Sequence, residues 1–159
     1  MNAVSPESSD TVIDAVLSAS RVLVSVAARS LADIAEEVTL TQYRTLVVLA
    51  SRGAQNLVGL AEGIGVTPAT ATRMCDRLVK KKLVVRQADP GDRRQVRLAL
   101  TKKGSKLVSS VTDRRRLEIE TILSAIDPDD QAILVEALGR FAAAAGEVPE
   151  QDWTSGWDL

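Results

Sequence analysis

The sequence predicts a mainly α-helical chain with one small β-hairpin, and three observations carry that prediction. Apolar residues recur at helical spacing over six stretches, and between the fourth and fifth stretches the period drops from 3.6 to 2. Glycine and proline fall at the ends of these stretches, at Gly53, Gly65, Pro68, Pro90-Gly91 and Pro128. A chain of 159 residues, 45% hydrophobic and 26% charged, has an ordinary globular composition. It is large enough to bury roughly 70% of its unfolded surface without staples. Cys75 is the single cysteine and there is no histidine, which excludes an intrachain disulfide, a serine-histidine triad and histidine-ligated zinc. The longest uncharged run, 63–72, has ten residues and a proline. A membrane helix needs roughly 18 or more. Residues 1–10 carry no basic, apolar leader, so a reduced, cytoplasmic protein with no membrane contact is expected.

Over 10–38, Ile13, Leu17, Ser20, Val24, Ala27, Leu31, Ile34 and Val38 alternate steps of four and three, a heptad seam. Val12, Val16 and Leu23 widen it, which suits a long helix packed on two neighbours, its own domain and a partner subunit. Periodicity alone fits the core helix of a monomer as well. Thr39 and Gln42 fit a capping box, with Thr41 a competing cap, for a second helix that runs to Ser51 and closes at Gly53. Leu57, Leu60, Ala61 and Ile64 make a short third helix ending at Gly65. Thr67 and Pro68 then supply an N-cap and a first-turn proline.

The fourth helix, 67–81, places Ala71, Met74, Cys75, Leu78 and Val79 on one face. The opposite arc collects Ala69, Thr70, Thr72, Arg73, Asp76, Arg77, Lys80 and Lys81. Small side chains come first, arginines in the middle and lysines last. Small residues let a backbone approach a DNA groove, while Arg73 and Arg77 reach guanine edges or phosphates. Lys80 and Lys81 also suit the helix macrodipole, which weakens them as evidence for DNA. Segments 83–88 and 95–100 read as strands, with Val96, Leu98 and Leu100 on one side and Gln95, Arg97 and Ala99 on the other. Between them Asp89, Pro90, Gly91, Asp92, Arg93 and Arg94 form a hairpin tip. Its aspartates are placed to pin the loop or one guanidinium, and a narrow minor groove attracts inserted arginine. Thr101 caps a fifth helix to about residue 125, and Asp127 and Pro128 start a sixth that ends near Gly146. Ile133, Leu134, Ala137, Leu138 and Phe141 form its apolar stripe, and residues 142–145 a small-residue patch. Arg114, Arg115 and Arg116 are expected to form salt bridges with acidic residues such as Glu118 or Glu120 or with a partner helix, phosphate contact being the lesser alternative. The tail, 147–159, holds Trp153 and Trp157, whose role the sequence leaves open.

Charge is segregated along the chain. Residues 1–72 hold 4 basic and 7 acidic side chains, residues 73–106 hold 12 and 3, and residues 107–159 hold 4 and 11. A basic block between acidic arms suits one docking orientation on a polyanion.

The order of helices and hairpin describes a winged helix-turn-helix with long N- and C-terminal dimerisation helices. Residues 40–104 resemble the MarR family of bacterial transcriptional regulators through Leu-Thr-Gln-Tyr-Arg at 40–44, Leu-Ala-Glu at 60–62 and Thr-Arg-Met-Cys-Asp-Arg-Leu at 72–78. Asp-Pro-Gly-Asp-Arg-Arg at 89–94 and Leu-Thr-Lys-Lys-Gly at 100–104 complete the pattern. The resemblance implies a homodimer joined by the first, fifth and sixth helices (10–38 and 102–146), with the DNA-binding domain at 39–101. It further implies a pseudo-palindromic operator in double-stranded DNA, and repression relieved by a small aromatic or lipophilic effector. Carried over by position, Thr67, Ala69, Thr70 and Thr72 open the recognition helix, Arg73 contacts bases, and Arg93 and Arg94 are the wing arginines, with Asp92 orienting its neighbour. Tyr43, Arg21 and Arg29 are candidate effector contacts that no spacing selects. No cofactor or metal is implied. Lys82 stands where the family usually has glycine. A left-handed residue there costs about 1 kcal/mol, so the helix is expected to run on or bend differently. The family's redox sensors carry a cysteine in the first helix, whereas Cys75 reads as a small core residue. The alternative reading is a winged-helix interaction module without DNA binding. An enzyme is weakest, since no reaction class can be assigned.

Overall fold

The computed structural model describes residues 6–153. Six α-helices and one hairpin follow in order: α1 (Pro6–Leu31), α2 (Leu40–Arg52), α3 (Leu57–Ile64), α4 (Pro68–Lys80), β1 (Val84–Ala88), β2 (Val96–Leu100), α5 (Lys102–Leu123) and α6 (Pro128–Ala144). The caps are those that the residues dictate. Thr39 and Gln42 form the full capping box of α2, Gly53 closes it at φ 72°, and Gly65 ends α3 in the left-handed region. Thr67 caps α4 by accepting the Thr70 amide, and Pro68 fills its first turn. Thr101 caps α5.

The core is built from α2, α3, α4, the hairpin and the first half of α5. Leu46, Leu49, Leu60, Cys75, Leu78, Leu83, Val84, Val108 and Val111 are all at or below 2% exposed. The hairpin is antiparallel with Val84 opposite Leu100 and Ala88 opposite Val96. A feature not anticipated extends it: Gln55, in the α2–α3 loop, exchanges two backbone hydrogen bonds with Leu98 (3.0 and 2.8 Å) and locks the hairpin to the helical core.

Three expectations are corrected. First, the long N-terminal helix does not reach Val38. It ends at Leu31, continues as a tight 3-10 turn over Ala32–Ile34, and Val38 is buried in the core beyond that turn. Val38 therefore continues the heptad spacing without belonging to the seam. The count of uncharged runs also understated this helix, since Ser9–Ile34 is long and apolar enough, by length and composition alone, to cross a membrane. In the protomer α1 packs on α5, with Val26 and Ser30 buried and Leu31 partly buried against the core, while Val12, Ile13, Val16, Leu17, Val22, Leu23 and Val24 are exposed.

Second, α4 neither runs on nor bends to avoid a left-handed residue: Lys82 takes φ 59°. The amide of Lys82 donates to Val79 O (2.9 Å) and that of Leu83 to Leu78 O (3.0 Å), the paired bonds of a Schellman cap, with Leu78 and Leu83 both fully buried. Thr101 holds the same turn from the other side. Its hydroxyl donates to Lys82 O at 2.6 Å and its amide to Leu83 O at 3.1 Å. These bonds and contacts over-determine the turn, so lysine is held in a conformation that glycine would adopt at no steric cost. Gly104 completes the junction, because a Cβ there would lie 2.1 Å from the Leu83 carbonyl oxygen. Only glycine lets α5 come this close.

Third, two of the three arginines of the triplet form salt bridges, with partners other than Glu118 and Glu120. Arg114 pairs with Asp33 (2.9 Å) and Arg116 with Glu150 (3.2 Å), while Glu118 is taken by Arg29 at 2.6 Å. Arg115 donates to Ser30 Oγ (3.1 Å) and stacks over the buried Tyr43 ring at 5.3 Å. Trp153 folds back onto the chain's own core, its indole N–H donating to Val148 O at 3.2 Å. Trp157 lies outside the described residues.

Candidate nucleic-acid interface

The first turn of α4 presents small side chains on an exposed face. Thr67 and Thr70 share a hydroxyl hydrogen bond of 3.0 Å, Ala69 is exposed, and the Thr72 hydroxyl donates back to Pro68 O at 2.9 Å. These hydroxyls are satisfied locally and leave a low-relief surface at the helix N-terminus, where backbone amides and the macrodipole favour an anion. Arg73 and Arg77 follow one turn apart and are exposed. The core face behind them, Ala71, Met74, Cys75 and Leu78, is buried, which fixes the rotation of the helix. Val79, assigned to the same face, is only partly buried. Burial raises the Cys75 thiol pKa, so the sulfur is a packed, protonated group.

Asp76 lies on the same arc, where a carboxylate would repel phosphate. Its charge is engaged by Arg86 of β1, which also ties α4 to the wing. The wing tip is shaped by its two aspartates. Asp89 accepts the amide of Gly91 (2.7 Å) and pairs with Arg97. These bonds, the Gly91 amide first, hold its carboxyl below the usual carboxylate range. Asp92 accepts the backbone amide of Arg94 at 3.0 Å and the Gln95 side chain at 3.3 Å. It orients Arg94 through the main chain, with the guanidinium left out of the contact. So the aspartates pin the loop and a third arginine, and neither tip guanidinium has a partner among the described residues.

The arginines of the chain divide cleanly. Arg21, Arg29, Arg44, Arg52, Arg86, Arg97, Arg114, Arg115, Arg116 and Arg140 each have a hydrogen-bond or ion-pair partner. Arg73, Arg77, Arg93 and Arg94 have none among the described residues, and all four lie on α4 and the wing. Sequence reasoning named these four. It did not identify Asp76 and Arg86 as the tie between α4 and the wing, since a pairing across the strand turn leaves no local pattern.

A cleft of about 320 Å³ opens between α5 and the C-terminal segment, lined by Thr112, Asp113, Arg116, Glu150 and Gln151. Burial raises the pKa of the Tyr43 hydroxyl, against which Arg115 and Thr112 act in the opposite sense. Arg29 is bound to Glu118 and Ser25, and Arg21 to Ser18, so neither joins the lining.

Residues 38–96 match the family model described as MarR family. The crystal structure of RV1404 from Mycobacterium tuberculosis is similar at 44% identity over 89% of this chain and 97% of that one, with a TM-score of 0.80. The chain belongs to the MarR family. Two curated relatives from Bacillus subtilis (strain 168) are similar at lower identity. The uncharacterised HTH-type transcriptional regulator YkoM is 30% identical over 62% of this chain and 64% of its own length. The HTH-type transcriptional repressor MdtR is 29% identical over 75% and 77%. The chain thus spans just under two thirds of YkoM and about three quarters of MdtR. As a MarR protein it is a DNA-binding transcriptional regulator, and a winged-helix module without DNA binding is not the reading these relatives favour.

Proposed function

We propose that this MarR protein is a repressor that binds a pseudo-palindromic operator as a homodimer in the cytoplasm, and that a small aromatic or lipophilic effector releases it. One observation supports the DNA surface: the four arginines without a partner among the described residues lie on α4 and at the wing tip, while every other arginine, Arg86 and Arg97 of the wing strands included, is engaged. Each α4 enters a major groove with Thr67, Ala69, Thr70 and Thr72 at the closest approach. Arg73 reads a base and Arg77 meets phosphate, while Arg93 and Arg94, set by Asp92, enter the flanking minor groove. The homodimer is supported by apolar side chains that a lone protomer leaves in water. Ile13, Leu17 and Val24 on α1 and Ile133, Leu138 and Phe141 on α6 are each more than half exposed.

Fluorescence anisotropy with DNA from the region upstream of the protein's own coding sequence, at several salt concentrations and with a scrambled competitor, tests this reading. Log affinity is expected to fall with log salt at a slope of about -0.9 per neutralised phosphate. Arg73→Ala is expected to relax sequence preference by roughly 1 to 3 kcal/mol per half-site, and Arg94→Ala to weaken binding with the dimer intact. Salt-independent binding, or an Arg94→Ala protein of unchanged affinity, would sink the assignment.

A further inference from the structure

No residue of α6 is buried, and the helix is tied to the protomer at its ends. At its start Gln131 donates to Leu123 O (3.1 Å) and Ile126 O (2.9 Å). At its end Gly146, at φ 71°, turns the chain, and residues 146–153 cross onto the reading lobe as a strap. Arg44 of α2 grips the Glu147 carboxylate with Nη1 and Nη2, which donate to its two oxygens at 3.1 and 2.7 Å. Arg52 donates to Gly146 O at 3.2 Å, Arg116 of α5 meets Glu150, and Trp153 rests on the core. Arg44 and Arg52 stand eight residues apart on α2, about two turns, and converge on the adjacent residues Glu147 and Gly146, so the start of the strap is clamped from two points of that helix. The carboxyl of Glu147 is held below its ordinary range, chiefly by the Arg44 hydrogen bonds. No other hydrogen bond or ion pair among the described residues joins the end of α6 to α2.

We infer that Arg44, Arg52 and Glu147 are positioning residues, and that the strap latches the end of α6 to α2 so that the dimer presents its two reading lobes at a fixed separation. The lobe is otherwise carried on α5, whose buried residues Gly104, Leu107, Val108 and Val111 lie in the first half of the helix, together with the α1 contact. Attachment along two adjacent helices leaves rocking about their axes soft. A bidentate ion pair at a distance from those axes resists it, because planar guanidinium and carboxylate fix orientation as well as distance. The inference rests on the homodimer reading, and the two fail differently.

The test is the distance between the two wing tips of the full-length dimer, measured by pulsed electron resonance between nitroxides on Gly91→Cys with the buried Cys75 left in place. Arg44→Glu or Glu147→Arg alone is expected to broaden the distance distribution and to weaken binding to a duplex selected from random DNA by about two- to fivefold. Sedimentation should still show a dimer. The double reversal, Arg44→Glu with Glu147→Arg, restores the narrow distribution and the affinity, which a merely destabilising pair of changes would not do. A narrow distribution in the single variants, or a double variant as broad as either single, overturns the latch. A monomer of the unsubstituted protein in sedimentation overturns the homodimer reading, and the inference with it.

Discussion

The reading lobe and the terminal helices solve the problem of apolar surface in opposite ways. In the lobe, α2 alone contributes six buried apolar side chains, Tyr43, Leu46, Val47, Val48, Leu49 and Ala50, and every element there has a neighbour. On α6, Ile133, Val135, Leu138 and Phe141 are 54–75% exposed and none of the helix is buried. Sequence hydrophobicity is similar in kind in the two regions, so the difference lies in what covers it. The lobe is complete within one chain, whereas α1 and α6 expose a surface that only another body can cover. The arginines divide differently: those of the terminal helices are all engaged within the fold, by ion pairs or hydrogen bonds, whereas the lobe has both engaged arginines and the four without a partner among the described residues, on α4 and at the wing tip.

The largest effect is expected where the incomplete region is broken. Leu138→Asp with Phe141→Asp would place two carboxylates in the proposed dimer interface, where an unpaired charge costs several kcal/mol. A loss of more than about 3 kcal/mol, over a hundredfold in dimer dissociation, should appear as monomer in sedimentation velocity. Because the lobe keeps its own core, the far-ultraviolet dichroism of α2 to α4 should survive. A dimer of unchanged affinity would mean that this stripe is covered by something other than a second copy.

Within the complete region the comparison sharpens at the junction of α5 with the lobe. Gly104→Ala would drive a methyl group to 2.1 Å from the Leu83 carbonyl oxygen, closer than any real contact. The obstacle is backbone, so neither side can move without breaking the Thr101 bonds to Lys82 and Leu83. A loss of roughly 3 kcal/mol in chemical denaturation is expected, with DNA binding lost in proportion to folding. Tolerance of the methyl group would show that α5 can slide on the lobe, which the latch would also have to accommodate.

Much of this was legible locally. The Thr39–Gln42 box, Gly65, Thr67-Pro68 and the Pro90-Gly91 turn each act through neighbours in sequence, and so a period and a cap residue suffice to place them. The four unpaired arginines were legible too, because they follow the polar arc of one helix and one loop. What escaped was decided by contacts remote in sequence. Val38 keeps the heptad spacing yet belongs to the core, since the chain tightens at Ala32–Ile34 and turns inward. Arg114 and Arg116 had acidic neighbours within a turn, yet geometry gave them Asp33 and Glu150. Gln55, pairing with Leu98 across the lobe, sits in a loop whose composition signals nothing of a strand.

Lys82 offers the finest test, because there a local rule was overridden by the junction around it. At φ 59° a lysine carries the steric cost of a left-handed residue, about 1 to 2 kcal/mol. Lys82→Gly removes that cost but gives the unfolded chain more freedom, worth about 0.4 to 1 kcal/mol in the opposite sense. The balance favours glycine by roughly 0.5 to 1 kcal/mol, a rise in melting temperature of about 1 to 4 °C at this size. The gain should belong to the reading lobe alone, leaving dimer dissociation in sedimentation unchanged. If glycine instead lowers the melting temperature, the lysine side chain must contribute more at this turn than its lack of a polar partner among the described residues indicates. The Schellman bonds and the buried Leu78–Leu83 contact would then not be sufficient to hold the turn.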